Sequence, residues 1–268
     1  MRHSRGATDY VTKPSNSDME ATSHIVFEEL IPKIKALCFV PVSPATSTAV
    51  TAPLLAPKVP LQTCKASMLA PQVQIVAIGV STGGPEALAK VLPALPVDFA
   101  VPVVIAQRMP PIFTSLLASR LSAKSSLPVR ECRTGEPLAP GCAWIAPGDY
   151  HMVLNNESAA VRLRVHQGPR ENFCRPSVDV LFRSVAGEYG AKTLAVILTG
   201  TGQDGLKGCE ELVVEGASVI VQDEATSVVW AMPGAVAKAG LAEKILPLDQ
   251  IGPEIVRRVS NQALFTHA

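Results

Sequence analysis

A serine set among small residues at a sharp turn is the first place in this chain where chemistry could occur. The stretch Gly79-Val80-Ser81-Thr82-Gly83-Gly84-Pro85 follows an apolar run and precedes a helical pattern. Glycines let the chain turn tightly there, and proline suits a first helical position. In such a strand–turn–helix elbow the serine is exposed, and its neighbours are small because the turn has no room for larger ones. The free N–H groups of the helix N-terminus then point at the same spot and favour an anion. Ser81 is therefore a candidate nucleophile. A glycine-rich anion-binding turn and a plain tight turn are the other readings. It is not a Walker A loop, because no Lys-Ser/Thr pair follows.

Two further turns have the same grammar. Thr199-Gly200-Thr201-Gly202-Gln203-Asp204-Gly205 closes a second apolar run and enters a helix. Asp204 reads either as an ordinary helix N-cap or as an acid that orients a catalytic base. The glycines can bring backbone N–H groups towards an oxyanion, which implicates Thr201. Gln107-Arg108-Met109-Pro110-Pro111 follows a third run. Arg108 is either a surface cation near a helix start or a pocket cation for an anionic substrate.

These turns need a scaffold that sets them side by side. Short β-branched runs alternate with helical patterns from residue 73 onward. The strand candidates are Val73–Gly79, Pro102–Ala106, Cys142–Ala146, Val161–Val165, Thr193–Thr199 and Ser218–Gln222. The helix candidates are Pro85–Leu95, Ile112–Ser122, Ser177–Tyr189, Asp204–Glu215, Pro233–Ala239 and Ile251–Val259. Continuous apolar strands such as Ala195-Val196-Ile197-Leu198 suit a sheet covered on both faces. Strand–helix alternation then implies an α/β fold: a doubly wound, mostly parallel sheet with helices on both faces. Residues 146–165 break the rhythm and read as an antiparallel hairpin turning at Asn155-Asn156. In such a sheet ligands bind beyond the carboxyl ends of the strands, where all three turns fall.

Ahead of this globular part, residues 1–37 are polar and then amphipathic, and Met19–Leu37 has helical spacing. Residues 38–72 are rich in Pro, Ala, Ser and Thr and read as an extended linker. A formal net charge of +1 gives no footprint for nucleic acid. Six cysteines without C-x-x-C pairs fit reduced thiols, and no His/Cys/Asp group has metal spacing. No apolar run reaches the roughly 18 residues that cross a bilayer. The polar start does not resemble a signal peptide. The expectation is a cytoplasmic protein without cofactor, metal, nucleic-acid partner or membrane insertion.

Six ordered segments together resemble the catalytic domain of chemotaxis protein-glutamate methylesterases. They are Ile78–Pro85, Met109–Thr114, Ile145–Met152, Arg175–Phe182, Leu198–Gly205, and Gln222–Glu224 followed by Ala231–Gly234. The resemblance spans roughly residues 73–259. It implies a Ser–His–Asp serine hydrolase with Ser81 as nucleophile and Asp204 as acid. Thr82 and Thr201 would serve the oxyanion, and His151 and Met232 the pocket. The substrate would be glutamate methyl esters on the cytoplasmic helices of chemoreceptors, with receptor glutamine deamidation as a related activity. The position of the family's histidine, directly before Met-Pro-Pro, holds Arg108. Separately, Gly6–Ser15 is similar to the end of a response-regulator receiver domain, so residues 1–37 read as a remnant of one.

Arginine in the base position changes the chemistry. A guanidinium stays charged and has no lone pair, so it cannot take the serine proton. The sequence therefore implies either a crippled esterase or an inactive relative that still docks receptor helices. Of the remaining histidines, only His151 sits in a loop near the expected cleft. Arg108 could also lock the site by pairing with Asp204, or bind the carboxylate of a demethylated glutamate.

Overall fold

Alternation along the strands sets the architecture. In β1 (Ile75–Val80), Val76, Ile78 and Val80 enter one apolar layer, and Ile75 and Ala77 enter another. A strand apolar on both sides must be covered on both sides. The computed structural model describes residues 31–33, 72–157 and 160–260 and shows the covering. The further strands are β2 (Val103–Gln107), β3 (Val129–Glu131), β4 (Ala143–Ile145), β5 (His151–Glu157), β6 (Ala160–His166), β7 (Thr193–Ile197), β8 (Ser218–Gln222) and β9 (Lys244–Leu246). Seven of the nine form one parallel sheet in the order β3-β4-β2-β1-β7-β8-β9. The other two, β5 and β6, pair antiparallel as a separate hairpin.

Helices α1 (Gly84–Val91), α2 (Phe113–Ser122) and α6 (Leu248–Ser260) cover one face through Leu88, Leu121, Ile251 and Ile255. Helices α3 (Val178–Tyr189), α4 (Leu206–Val214) and α5 (Ala231–Lys238) cover the other through Phe182, Leu212 and Val236. The hairpin adds Met152, Leu154 and Leu163 to this second layer, beside Trp144. Full burial of a side chain such as Phe182 stabilises the fold by roughly 1.5–3 kcal/mol. The doubly wound arrangement expected from the strand–helix alternation is the one observed.

Some local expectations need correction. The edge strands β3 and β9 were not expected; at three residues each they are too short to show a period. Asn155 and Asn156 do not turn the hairpin. They lie in β5 opposite Arg162 and Val161, and the connection comes after Glu157. Helix α4 begins at Leu206 with Gly205 as its N-cap, so Asp204 lies outside it. The linker reading lies outside the described residues. So does the receiver reading apart from residues 31–33, which are helical.

The topology explains where a site can form. From β1 the chain builds outward through β2 to β4, then returns to place β7 on the opposite side of β1. Such a reversal opens a crevice at the carboxyl ends of the central strands. The Ser81 turn, Arg108 and the Thr199–Gly205 turn follow β1, β2 and β7, three adjacent strands.

Candidate active site

The Ser81 turn is fastened from both sides. The Ser81 N–H donates to the Thr199 carbonyl at 3.0 Å, and the Thr199 hydroxyl donates to the Thr82 carbonyl at 2.9 Å. From β2, Gln107 Nε2 donates to the Ser81 carbonyl at 3.1 Å. Gly83 caps α1 with φ at 80°, a left-handed conformation that a side chain would strain. Among the described residues, the Thr82 and Gly83 N–H groups and the Ser81 hydroxyl make no hydrogen bond. The start of α1 thus offers donors beside a nearly buried serine, 7% exposed.

The β7 turn lies directly on the serine. A Cβ on Gly200 would fall 2.2 Å from Met232 Sδ and 2.8 Å from Ser81 Cβ, so only glycine fits. Met232 is fully buried against this turn. Arg108 closes the crevice from β2. Its Nη1 donates to the Thr201 carbonyl at 2.8 Å and stands 3.9 Å from Met232 Sδ. Its Nε is buried without a partner. The structure therefore gathers Ser81, Arg108, Thr201 and Met232 around one crevice.

Asp204 has a different setting. Its fully buried carboxylate accepts from Ser177 Oγ at 2.7 Å, Asn172 Nδ2 at 2.9 Å and the Asp179 N–H at 3.1 Å, all through Oδ1. Oδ2 accepts from the Val178 N–H at 2.8 Å. Asp204 thus caps α3 rather than its own helix, which corrects the N-cap reading. Asp179 reciprocates: its Oδ1 accepts from the Gly205 and Gly208 N–H groups at 2.9 and 2.8 Å, capping α4. Asn172 Nδ2 also donates to Asp179 Oδ2 at 2.8 Å and clasps the two acids together. Burial, and then the Asp204 charge, push the Asp179 carboxyl upward, while its N–H partners pull it down.

Neither the lock of Arg108 on Asp204 nor a rescue by His151 is formed among the described residues. Among the described residues Arg108 makes no ion pair, so the expected lock with Asp204 is absent. His151 is buried and committed on both nitrogens. Its Nδ1 accepts from the Ser177 N–H at 3.2 Å, which leaves Nε2 to donate to the Pro169 carbonyl at 3.0 Å. Burial lowers its pKa below the usual histidine range, and His166 and Arg175 add to the effect. Ser177 stands at the N-cap of α3, yet its hydroxyl goes to Asp204 instead of the helix. Among the described residues no His/Cys/Asp/Glu group is gathered as a metal site, and no helix is long and apolar enough to cross a membrane.

The family model described as CheB methylesterase matches residues 76–255. This chain belongs to that family. A protein-glutamate methylesterase/protein-glutamine glutaminase of Trichodesmium erythraeum is 49% identical over 257 residues, covering 95% of this chain and 71% of the relative. One from Caulobacter vibrioides is 44% identical, covering 96% and 72%. The crystal structure of the Thermotoga maritima CheB methylesterase catalytic domain aligns with a TM-score of 0.68 at 41% identity, over 69% of this chain and 98% of that one. The seven-stranded sheet and separate hairpin belong to the CheB catalytic fold.

Within this CheB-family domain, the sequence reading missed Asn172 and Asp179. Asp179 lies inside a motif segment, in the first turn of a helix, where an acid is unremarkable. Its meeting with Asp204 depends on α3 and α4 starting side by side, and no local pattern reports that.

Proposed function

We propose that this chain is a cytoplasmic protein-glutamate methylesterase of chemotaxis, directed at the cytoplasmic helices of chemoreceptors, whose hydrolytic step is severely slowed by Arg108. The observation that carries the reading is that, among the described residues, no histidine hydrogen-bonds to Ser81 and the pocket histidine His151 is committed elsewhere. The family histidine position holds a guanidinium, and His151 is committed on both sides.

The expected chemistry runs as follows. Ser81 Oγ attacks the γ-carbonyl of a glutamate methyl ester, and the Thr82 and Gly83 N–H groups receive the developing oxyanion. The intermediate expels methanol and leaves an acyl-serine that water hydrolyses; a glutamine substrate would release ammonia instead. Both halves need a group that takes a proton and gives it back. Arg108 can stabilise negative charge but cannot shuttle protons. Loss of a triad member lowers turnover by about 10⁴–10⁶-fold, with a remainder supplied by oxyanion stabilisation and binding.

Arg108→His supplies the missing base. Asp204 supports the exchange, because its Oδ2 accepts only one bond and retains a lone pair for an imidazole N–H. Methanol release from methylated receptor should therefore rise by about three orders of magnitude or more in Arg108→His. The unmodified chain should show a residual rate that climbs with hydroxide concentration and has no plateau near neutral pH. Fast turnover by the unmodified chain, or no gain on introducing histidine, refutes the reading. Among the described residues Arg108 forms no ion pair, which favours a second reading, a receptor-binding relative that does not turn over.

A further inference from the structure

The Arg108 guanidinium is a crevice cation without a carboxylate. Three of the other four partly buried arginines of this domain have one: Arg175 pairs with Asp149, Arg183 with Glu171, and Arg258 with Glu243 and Glu254, while Arg162 donates to the Gly135 carbonyl. The guanidinium of Arg108 is held through Nη1, on the Thr201 carbonyl and, more weakly, on Met232 Sδ. Its Nε is buried without an acceptor, and among the described residues Nη2 makes no hydrogen bond. An N–H group shut away from both water and protein acceptors is unfavourable, and a ligand oxygen would relieve it.

The rest of the crevice has the same polarity. The Ser81 hydroxyl and the Thr82 and Gly83 N–H groups are donors without partners among the described residues. They sit at the positive end of α1. Asp204 shares its charge among four donors and makes no bond to the arginine. Donors therefore face the crevice from both sides, and the guanidinium among them has no carboxylate partner among the described residues. That suits a planar anion. It suits a methyl ester poorly, since an ester is uncharged and only a weak acceptor, and a carboxamide poorly, since half of its polar edge is itself a donor.

We propose that Arg108 turns this crevice into a receptor for the γ-carboxylate of a demethylated glutamate on a receptor helix. The domain then binds the product of its relatives' reaction in preference to the methyl ester or to glutamine. The carboxylate meets the guanidinium along the edge that Thr201 does not hold, with its other side towards Ser81 and the start of α1. The inference deepens the reading that this crevice admits receptor glutamate side chains, and it rests on it. It reverses the selectivity that turnover would demand, because an esterase gains nothing from holding its product.

The test compares three helical receptor peptides that differ at one methylation position: glutamate, glutamine and glutamate γ-methyl ester. Each is titrated calorimetrically into the full 268-residue chain. The glutamate peptide should bind about tenfold or more tightly than the other two, with a preference that weakens as salt rises. Arg108→Gln should abolish the preference, and Arg108→Lys should keep part of it, since the charge remains and the planar fork is lost. Thermal unfolding of each variant shows that it is folded. Should Arg108→Gln not fold, acetate competition on the unmodified chain takes its place, and acetate must displace the glutamate peptide more readily than the glutamine peptide. Equal binding of the three peptides, or a preference that survives in Arg108→Gln, overturns the carboxylate site alone. Failure of all three to bind overturns the receptor reading with it.

Discussion

Removing the Asp204 carboxylate should damage this domain through its helix ends before it touches any chemistry. In Asp204→Ala, the Val178 and Asp179 N–H groups lose their acceptor in a site fully shut off from water. Each buried donor left without a partner costs about 1–3 kcal/mol. The Ser177 hydroxyl can rotate, and the Asn172 amide keeps its bond to Asp179, so those two losses are smaller. Relief of the repulsion that raises the Asp179 carboxyl offsets a part. The net expectation is a loss of about 3–5 kcal/mol, a large share of the roughly 5–15 kcal/mol that holds a domain together. Urea unfolding followed by circular dichroism would show it as a lower midpoint at unchanged slope. Asp179→Ala should weaken the fold comparably, because Gly205 and Gly208 lose their cap. The double variant should cost more than the two singles added, since the repulsion between the acids is relieved only once and Asn172 loses both of its acceptors together. A loss below about 1 kcal/mol in Asp204→Ala, or strict additivity, would refute the reciprocal-cap argument. In the Arg108→His background, Asp204→Ala should also cancel the gain in methanol release, which separates the orienting role from the capping one.

Two further outcomes follow from the same geometry. His151 must be neutral to accept from the Ser177 N–H, and burial lowers its pKa. Its contribution to stability should therefore be fully present above the unfolded histidine pKa of about 6.5 and fall away as pH drops from there towards the lowered folded value. His166 is lowered as well and shares that slope. His151→Gln should flatten the decline measured by urea unfolding between about pH 7 and pH 5, and an unchanged slope would sink the assignment. Gly200→Ala should destabilise by about 1–3 kcal/mol through overpacking on Met232 and Ser81, with recovery on adding Met232→Ala; a neutral thermal shift in the single variant would contradict the packing.

Much of the site could be read along the chain because its signals are local. The Ser81 elbow is a run of small residues between an apolar strand and a helix, and each feature concerns neighbours within a few positions. Arg108 reads into the position of the family's histidine from the Met-Pro-Pro that follows it. The parallel sheet followed from runs such as Ala195–Leu198. The three-residue strands β3 and β9 escaped because they gain their identity from hydrogen bonds to β4 and β8, not from any period of their own.

By itself the sequence determined the alternation that demands a two-faced sheet, the serine elbow, and the presence of a permanent cation where a proton acceptor was expected. Tertiary structure alone decided that His151 is bound on both nitrogens, that Asp204 and Asp179 cap each other's helices while Asn172 bridges the two acids, and that Arg108 leans on Thr201 without meeting an acid. The division has a simple cause. Strand and helix periodicity is written into consecutive residues, whereas the partner of a buried polar atom here lies as many as 117 positions away and is chosen only when the strands and helices have packed.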